Sequence, residues 1–168
     1  MLAEHGIKVR RWRTAMSGVA WNVRYTDGTT TRLIEAPRPK GPMSAAVFLH
    51  EVGHHAIGFN VYKPRCLEEF HAWRWSLEAM ERTGLSITPA VRYRVHLSLW
   101  YAVAKARRRG MRELPIELAP YTERPRKADF APQPAASRRR AASPRPPAHG
   151  RSSPTLVSTH DQTSRSHP

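Results

Sequence analysis

Apolar and polar residues alternate through the first part of the chain and then change to a helical period. Residues 7–12 alternate weakly, as a short strand would. Over 18–26 the alternation is cleaner, and Val19, Trp21, Val23 and Tyr25 share one face. Asp27-Gly28 comes next, a pair suited to hairpin turns. Residues 29–35 then return as a partner strand rich in β-branched side chains. Pro37, Pro39, Gly41 and Pro42 end the sheet in a stiff loop.

Three helical segments follow. Ser44 is the expected N-cap of a helix over 44–57, closed by Gly58. Pro64 precedes a second helix over 66–82, stopped by Gly84. Thr88 caps a third, with Pro89 at its first position and an end near Gly110. Lys105, Arg107, Arg108 and Arg109 stand in its last turn, where cations suit the helix dipole. The expected fold is α+β: an antiparallel hairpin or small sheet at the N-terminus, packed on three helices.

Composition divides the chain near Tyr121. Residues 122–168 hold 8 of the 15 prolines, many Ser and Arg, and few large apolar side chains. Such a segment buries too little surface to offset its ordering entropy. The expectation is a domain over 1–121 and a disordered tail over 122–168, with Arg138, Arg139 and Arg140 as a candidate phosphate-contacting patch.

The net charge of +15 is shared by both parts. Residues 1–121 carry 19 Lys and Arg against 10 Asp and Glu, and residues 122–168 carry 9 against 3. A basic surface draws polyanions, nucleic acid among them. It also simply keeps a protein in solution, and no aromatic-basic motif or DNA-reading helix accompanies it. No run of about 18 apolar residues exists to cross a membrane, and no apolar leader with a cleavage site is evident. Cys66 is the single cysteine, so neither a disulfide nor a cysteine zinc cluster can form within the chain. A cytoplasmic location is expected.

The informative segment is His50-Glu51-Val52-Gly53-His54. Two histidines four apart lie on one helical face, one turn from each other, and both imidazoles can reach one ion. Glu51, beside the first of them, projects toward the open side, where it can take a proton from water. The competing explanation is a helix with histidines on a solvated face. A catalytic ion needs a third protein ligand and an open position. Glu68, Glu69 and His71 on the next helix are the candidates. Glu69 is preferred, because Glu69, Ala72 and Ser76 form one stripe whose small residues allow close helix approach. His55 is out of phase and is read as non-ligating. Tyr93, His96 and Tyr101 on the third helix are candidates to steady a developing oxyanion. Phe70, Trp73, Trp75 and Leu77 are read as helix packing.

His50-Glu51-Val52-Gly53-His54 resembles the active helix of the zincin metallopeptidases. The later Glu69-x-x-Ala72-x-x-Trp75-Ser76 is similar to the Glu-x-x-Ala-x-x-Phe-Ala pattern of the ImmA/IrrE-type gluzincins, with Trp75 and Ser76 in place of Phe and Ala. The two patterns cover about residues 44–80. The resemblance implies a minimal zinc peptidase with Zn²⁺ on His50, His54 and Glu69. It implies Glu51 as general base and limited cleavage of an intracellular protein target. A hairpin edge beside the ion could take an extended peptide as an added strand. The alternative expectation is a basic, nucleic-acid-associated regulatory protein whose zinc site is structural or inactive.

Overall fold

The computed structural model describes residues 1–131. Within them the order is β1 (Ile7–Arg13), β2 (Val19–Arg24), β3 (Thr30–Pro37), α1 (Pro42–Ile57), α2 (Arg65–Arg82) and α3 (Pro89–Arg108). Two 3₁₀ turns follow, Ile116–Tyr121 and Lys127–Phe130. The α+β reading holds.

The sheet is mixed, in the order β1-β3-β2. β2 and β3 form the expected antiparallel hairpin, and β1 pairs with β3 in parallel. The loop between β2 and β3 is one residue longer than a two-residue turn. Tyr25 N donates to Thr29 O, enclosing Thr26, Asp27 and Gly28. Gly28 takes φ +85°, the left-handed position that three-residue hairpin loops require. The Asp27 carboxylate accepts from the Thr29 amide at 2.9 Å and stiffens the turn.

The face of β2 that meets the core is not the one with the large side chains. Ala20 pairs with Ile34, which pairs with Val9, and these three pack on the core. Trp21 lies on the other face, with the Arg10 guanidinium over its ring at 5.6 Å. A small residue on the inner face lets the strand sit close to α1.

α1 is buried along nearly its whole length, from Ser44 to His55. A helix enclosed on all sides needs small residues where its neighbours cross. Gly53 is such a point: a Cβ there would lie 2.7 Å from the Ala72 carbonyl oxygen of α2. One turn away, the buried Ser76 hydroxyl donates to Ala46 O at 2.8 Å. Ser44 is not the N-cap; Gly41 is. Ser44 sits one turn inside, where its hydroxyl accepts from the Lys40 and Gly41 amides at 2.9 and 3.1 Å. The hydroxyl therefore ties the preceding loop to the helix. Thr88 caps α3 as expected, accepting from Val91 N.

The main core joins Ile34 and Ala36 of the sheet to Val47 and Val52 of α1, Trp73 and Met80 of α2, and Val91 and Leu99 of α3. A smaller cluster of Cys66, Val103 and Leu118 fastens the first 3₁₀ turn to α2 and α3. Packing continues beyond Tyr121, where the sequence placed the start of the tail. Phe130 meets the rings of Tyr93 and His96, and Arg124 lies over Trp100. Pro125 and Phe130 supply apolar surface that the composition of the whole segment hides. Residues 132–168, with Arg138, Arg139 and Arg140, lie outside the described residues. Among the described residues, no helix is long and apolar enough to cross a membrane.

Candidate metal centre

His50, Glu51, His54 and His55 are all buried on α1, at 7%, 5%, 3% and 4% exposure, so they do not form a solvated face. Four buried polar groups on one helix need partners, since each costs free energy without one. The helix fans them out at about 100° per residue, toward three different neighbours. His55 points to the sheet and bonds Leu33 O through Nε2 at 3.1 Å. It fastens α1 to β3 and takes no part in the cluster described next.

His50 and His54 point to α2. Their Nε2 atoms lie 3.3 and 3.6 Å from Glu69 Oε2. The ligand atoms of this trio all lie within 4.8 Å of one another. Charge-assisted N–H···O bonds are shorter, about 2.7–2.9 Å. A tetrahedral ion with bonds of about 2.0–2.1 Å spaces its ligands about 3.3–3.4 Å apart. The two carboxylate–imidazole separations lie near that spacing, and the cluster can hold a metal ion. The Trp73 ring stacks on His50, with centroids 4.1 Å apart and planes at 17°, and fixes the imidazole.

Glu68 stands behind the cluster rather than in it. Its buried carboxylate accepts from Asn60 N at 2.8 Å and from Arg65 Nη1 at 2.8 Å. The same Oε1 lies 3.4 Å from His54 Nδ1. That nitrogen makes no hydrogen bond, nor does His50 Nδ1. Carboxylates placed behind metal-bound histidines orient the ring and raise its basicity. Arg65 bridges both acids, reaching Glu69 Oε1 at 3.1 Å.

Electrostatics suit a cation. Burial lowers His50 to about 4, against the opposing pull of Glu69, which leaves a neutral imidazole with a free lone pair. Burial alone would raise Glu69, but its contacts with His50 and His54 prevail and hold it well below the carboxylate range. Burial raises Glu51 to about 7, against the charges of His54, Arg13 and Arg65. A carboxyl poised near neutrality can both accept and return a proton.

Glu51 faces the sheet side. Gly18, just before β2, abuts it so closely that an added Cβ would lie 2.5 Å from the Glu51 Cγ and Oε1. His50, Glu51 and Glu69 open on a cleft of about 1040 Å³, whose far wall is α3. Tyr101 lines this wall, but Tyr93 and His96 do not. They turn instead to Phe130, and His96 also to Tyr121. His71 stacks on Tyr62, 3.7 Å between centroids, and is not part of the cluster. Phe70, Trp75 and Leu77 pack against the core.

Sequence reasoning offered Glu68 only as an alternative to Glu69 or a residue behind the ligands, and it missed Gly18 and, on the cleft wall, Arg94, Lys105 and Arg109. The last three had a signal, since they recur on α3 at spacings that share one helical face. Gly18 had none. No protein-family model, curated protein or solved structure matches this chain.

Proposed function

We propose that the chain is a zinc-dependent peptidase making limited cuts in a protein target. Support comes chiefly from one juxtaposition: Glu51, held near neutrality, opens on the same cleft as His50 and Glu69 of the cluster. Two imidazoles and one carboxylate are a donor set that suits zinc and leaves a position open. Bound there, zinc supplies Lewis acidity toward water and toward a carbonyl.

The remaining chemistry belongs to the chain's own residues. Glu51 takes the proton of the attacking water and returns it to the departing amine. The Trp73 ring stacks on His50 and the Glu68 carboxylate lies 3.4 Å from His54 Nδ1, so both imidazoles are backed by packed groups and little reorganisation accompanies the reaction. Tyr101, on the opposite wall, is the phenol available to a developing oxyanion. β2 is an edge strand that begins beside Glu51, and an extended peptide can add to it. A structural ion would have no use for a buried carboxyl facing a cleft, and this favours catalysis over a scaffold.

Elemental analysis of the purified chain is expected to find about one zinc per molecule. Glu51→Gln keeps the metal and lowers hydrolysis of an unfolded protein substrate by about 10²–10⁴-fold. A chain without metal, or a fully active Glu51→Gln, overturns the proposal.

A further inference from the structure

The cleft wall opposite the cluster is cationic. Arg94, Lys105, Arg109 and Arg124 line it, while its two carboxylates, Glu51 and Glu69, belong to the candidate centre. None of the four cations has a carboxylate within ion-pair distance among the described residues. Arg65, also in the cleft, is tied to Glu68 and Glu69 and is not available. Arg94 gives one Nη2 hydrogen bond to Met16 O at 2.9 Å, while its buried Nε has no partner.

Arg94, Ser98, Tyr101, Lys105 and Arg109 follow one another at spacings of three or four, so three of the four cations stand on a single stripe of α3 and its C-cap, with Arg124 beside it. From Arg94 to Arg109 the stripe runs about 22 Å at about 1.5 Å per residue. An extended polypeptide covers that length with about seven residues. Its side chains alternate, so every second one faces the wall.

We infer that the cleft selects an acidic polypeptide segment, whose carboxylates pair with Arg94, Lys105, Arg109 and Arg124. The inference deepens the peptidase reading and rests on it for cleavage, but binding itself needs only the wall. Nucleic acid suits the cleft less well. Single strands bind by stacking bases on open aromatic faces. Here Arg124 lies over Trp100 and Arg108 over Tyr101, and Trp73 is stacked on His50.

The test uses the full chain and fluorescence anisotropy. The probes are a labelled heptapeptide alternating Asp and Ala, its Asn–Ala counterpart, and a short single-stranded oligonucleotide of equal charge. The acidic peptide is expected to bind about tenfold tighter than the neutral one, an advantage that salt erodes. Lys105→Gln combined with Arg109→Gln removes most of it. Both side chains are exposed, and zinc content reports that the variant is folded. Arg124→Gln is the independent second variant. Equal peptide affinities overturn the inference. So does an advantage that survives these substitutions, or an oligonucleotide that binds as tightly as the acidic peptide. Acidic preference in a chain that carries no zinc defeats the peptidase reading alone. Zinc without the preference defeats the charge selection alone.

Discussion

Gly18 and Glu51 are in direct contact across the cleft floor: a methyl group on Gly18 would stand 2.5 Å from the Glu51 carboxyl oxygen. The glycine holds the β1–β2 connection against the carboxylate and leaves the carboxylate no room on that side. Gly18→Ala must push the Glu51 side chain away or lift the start of β2. Displacement of a catalytic group by about 1 Å costs on the order of 10²-fold in rate. The variant is expected to keep its zinc and lose about that much hydrolysis, as steady-state kinetics and metal analysis will show. Unchanged kcat/KM would mean that the start of β2 yields instead and that Gly18 does not position Glu51.

Gly53 plays a different part, at the crossing of α1 and α2. A Cβ there would meet the Ala72 carbonyl at 2.7 Å and the Trp75 ring at 3.3 Å. Overpacking of this kind costs about 1–3 kcal/mol. Because α2 carries Glu69, separating the helices also draws the carboxylate from His50 and His54. Gly53→Ala is expected to lower both the urea midpoint and the affinity for zinc. A variant destabilised with no loss of zinc affinity would show that the crossing does not set the cluster.

Glu68 and Glu69 are neighbours in sequence with distinct roles. Glu68→Gln places an amide where Asn60 N–H and Arg65 both require an acceptor, with an expected cost of about 1–3 kcal/mol. On the proposed zinc centre, losing the carboxylate behind His54 is expected to weaken metal binding by about 10–100-fold. Glu69→Gln, which takes a carboxylate out of the cluster itself, is expected to weaken it further. Competition against a chelator measures both, and equal losses would contradict the assignment of Glu69 over Glu68.

His96 links acidity to the packing of the second 3₁₀ turn. Burial lowers its pKa, with Pro120 and Asp129 opposing. A histidine depressed in the folded state binds fewer protons there than in the unfolded chain. Its contribution to stability is therefore present above the ordinary histidine value of 6.5 and is lost as pH falls through the folded pKa. Amide exchange over residues 116–130 is expected to quicken on acidification below about 6.5. His96→Phe, which keeps the contact with Tyr121 and Phe130, is expected to flatten that dependence. An identical profile in the variant would assign the effect to another group.

The sequence alone determined what depends on neighbours within a few residues. Residues four apart on a helix meet whatever surrounds them, so His50 and His54 were bound to face one point. The Glu69–Ala72–Ser76 stripe was bound to be continuous. Gly28, Gly58 and Thr88 likewise mark turns and caps through local backbone chemistry. Tertiary structure decided what depends on the rotation of one element against another. One residue along a helix turns a side chain by about 100°. Glu69 rather than Glu68 lies at the Nε2 atoms of both imidazoles because Gly53 against Ala72 and Ser76 against Ala46 fix the azimuth of α2. The same kind of long-range packing turned Ala20 inward instead of Trp21. It brought Gly18 against Glu51 and faced Tyr101 toward the cleft, while His96 faces Phe130. Contacts between segments far apart in the chain carry no local periodicity, and only the packed molecule reveals them.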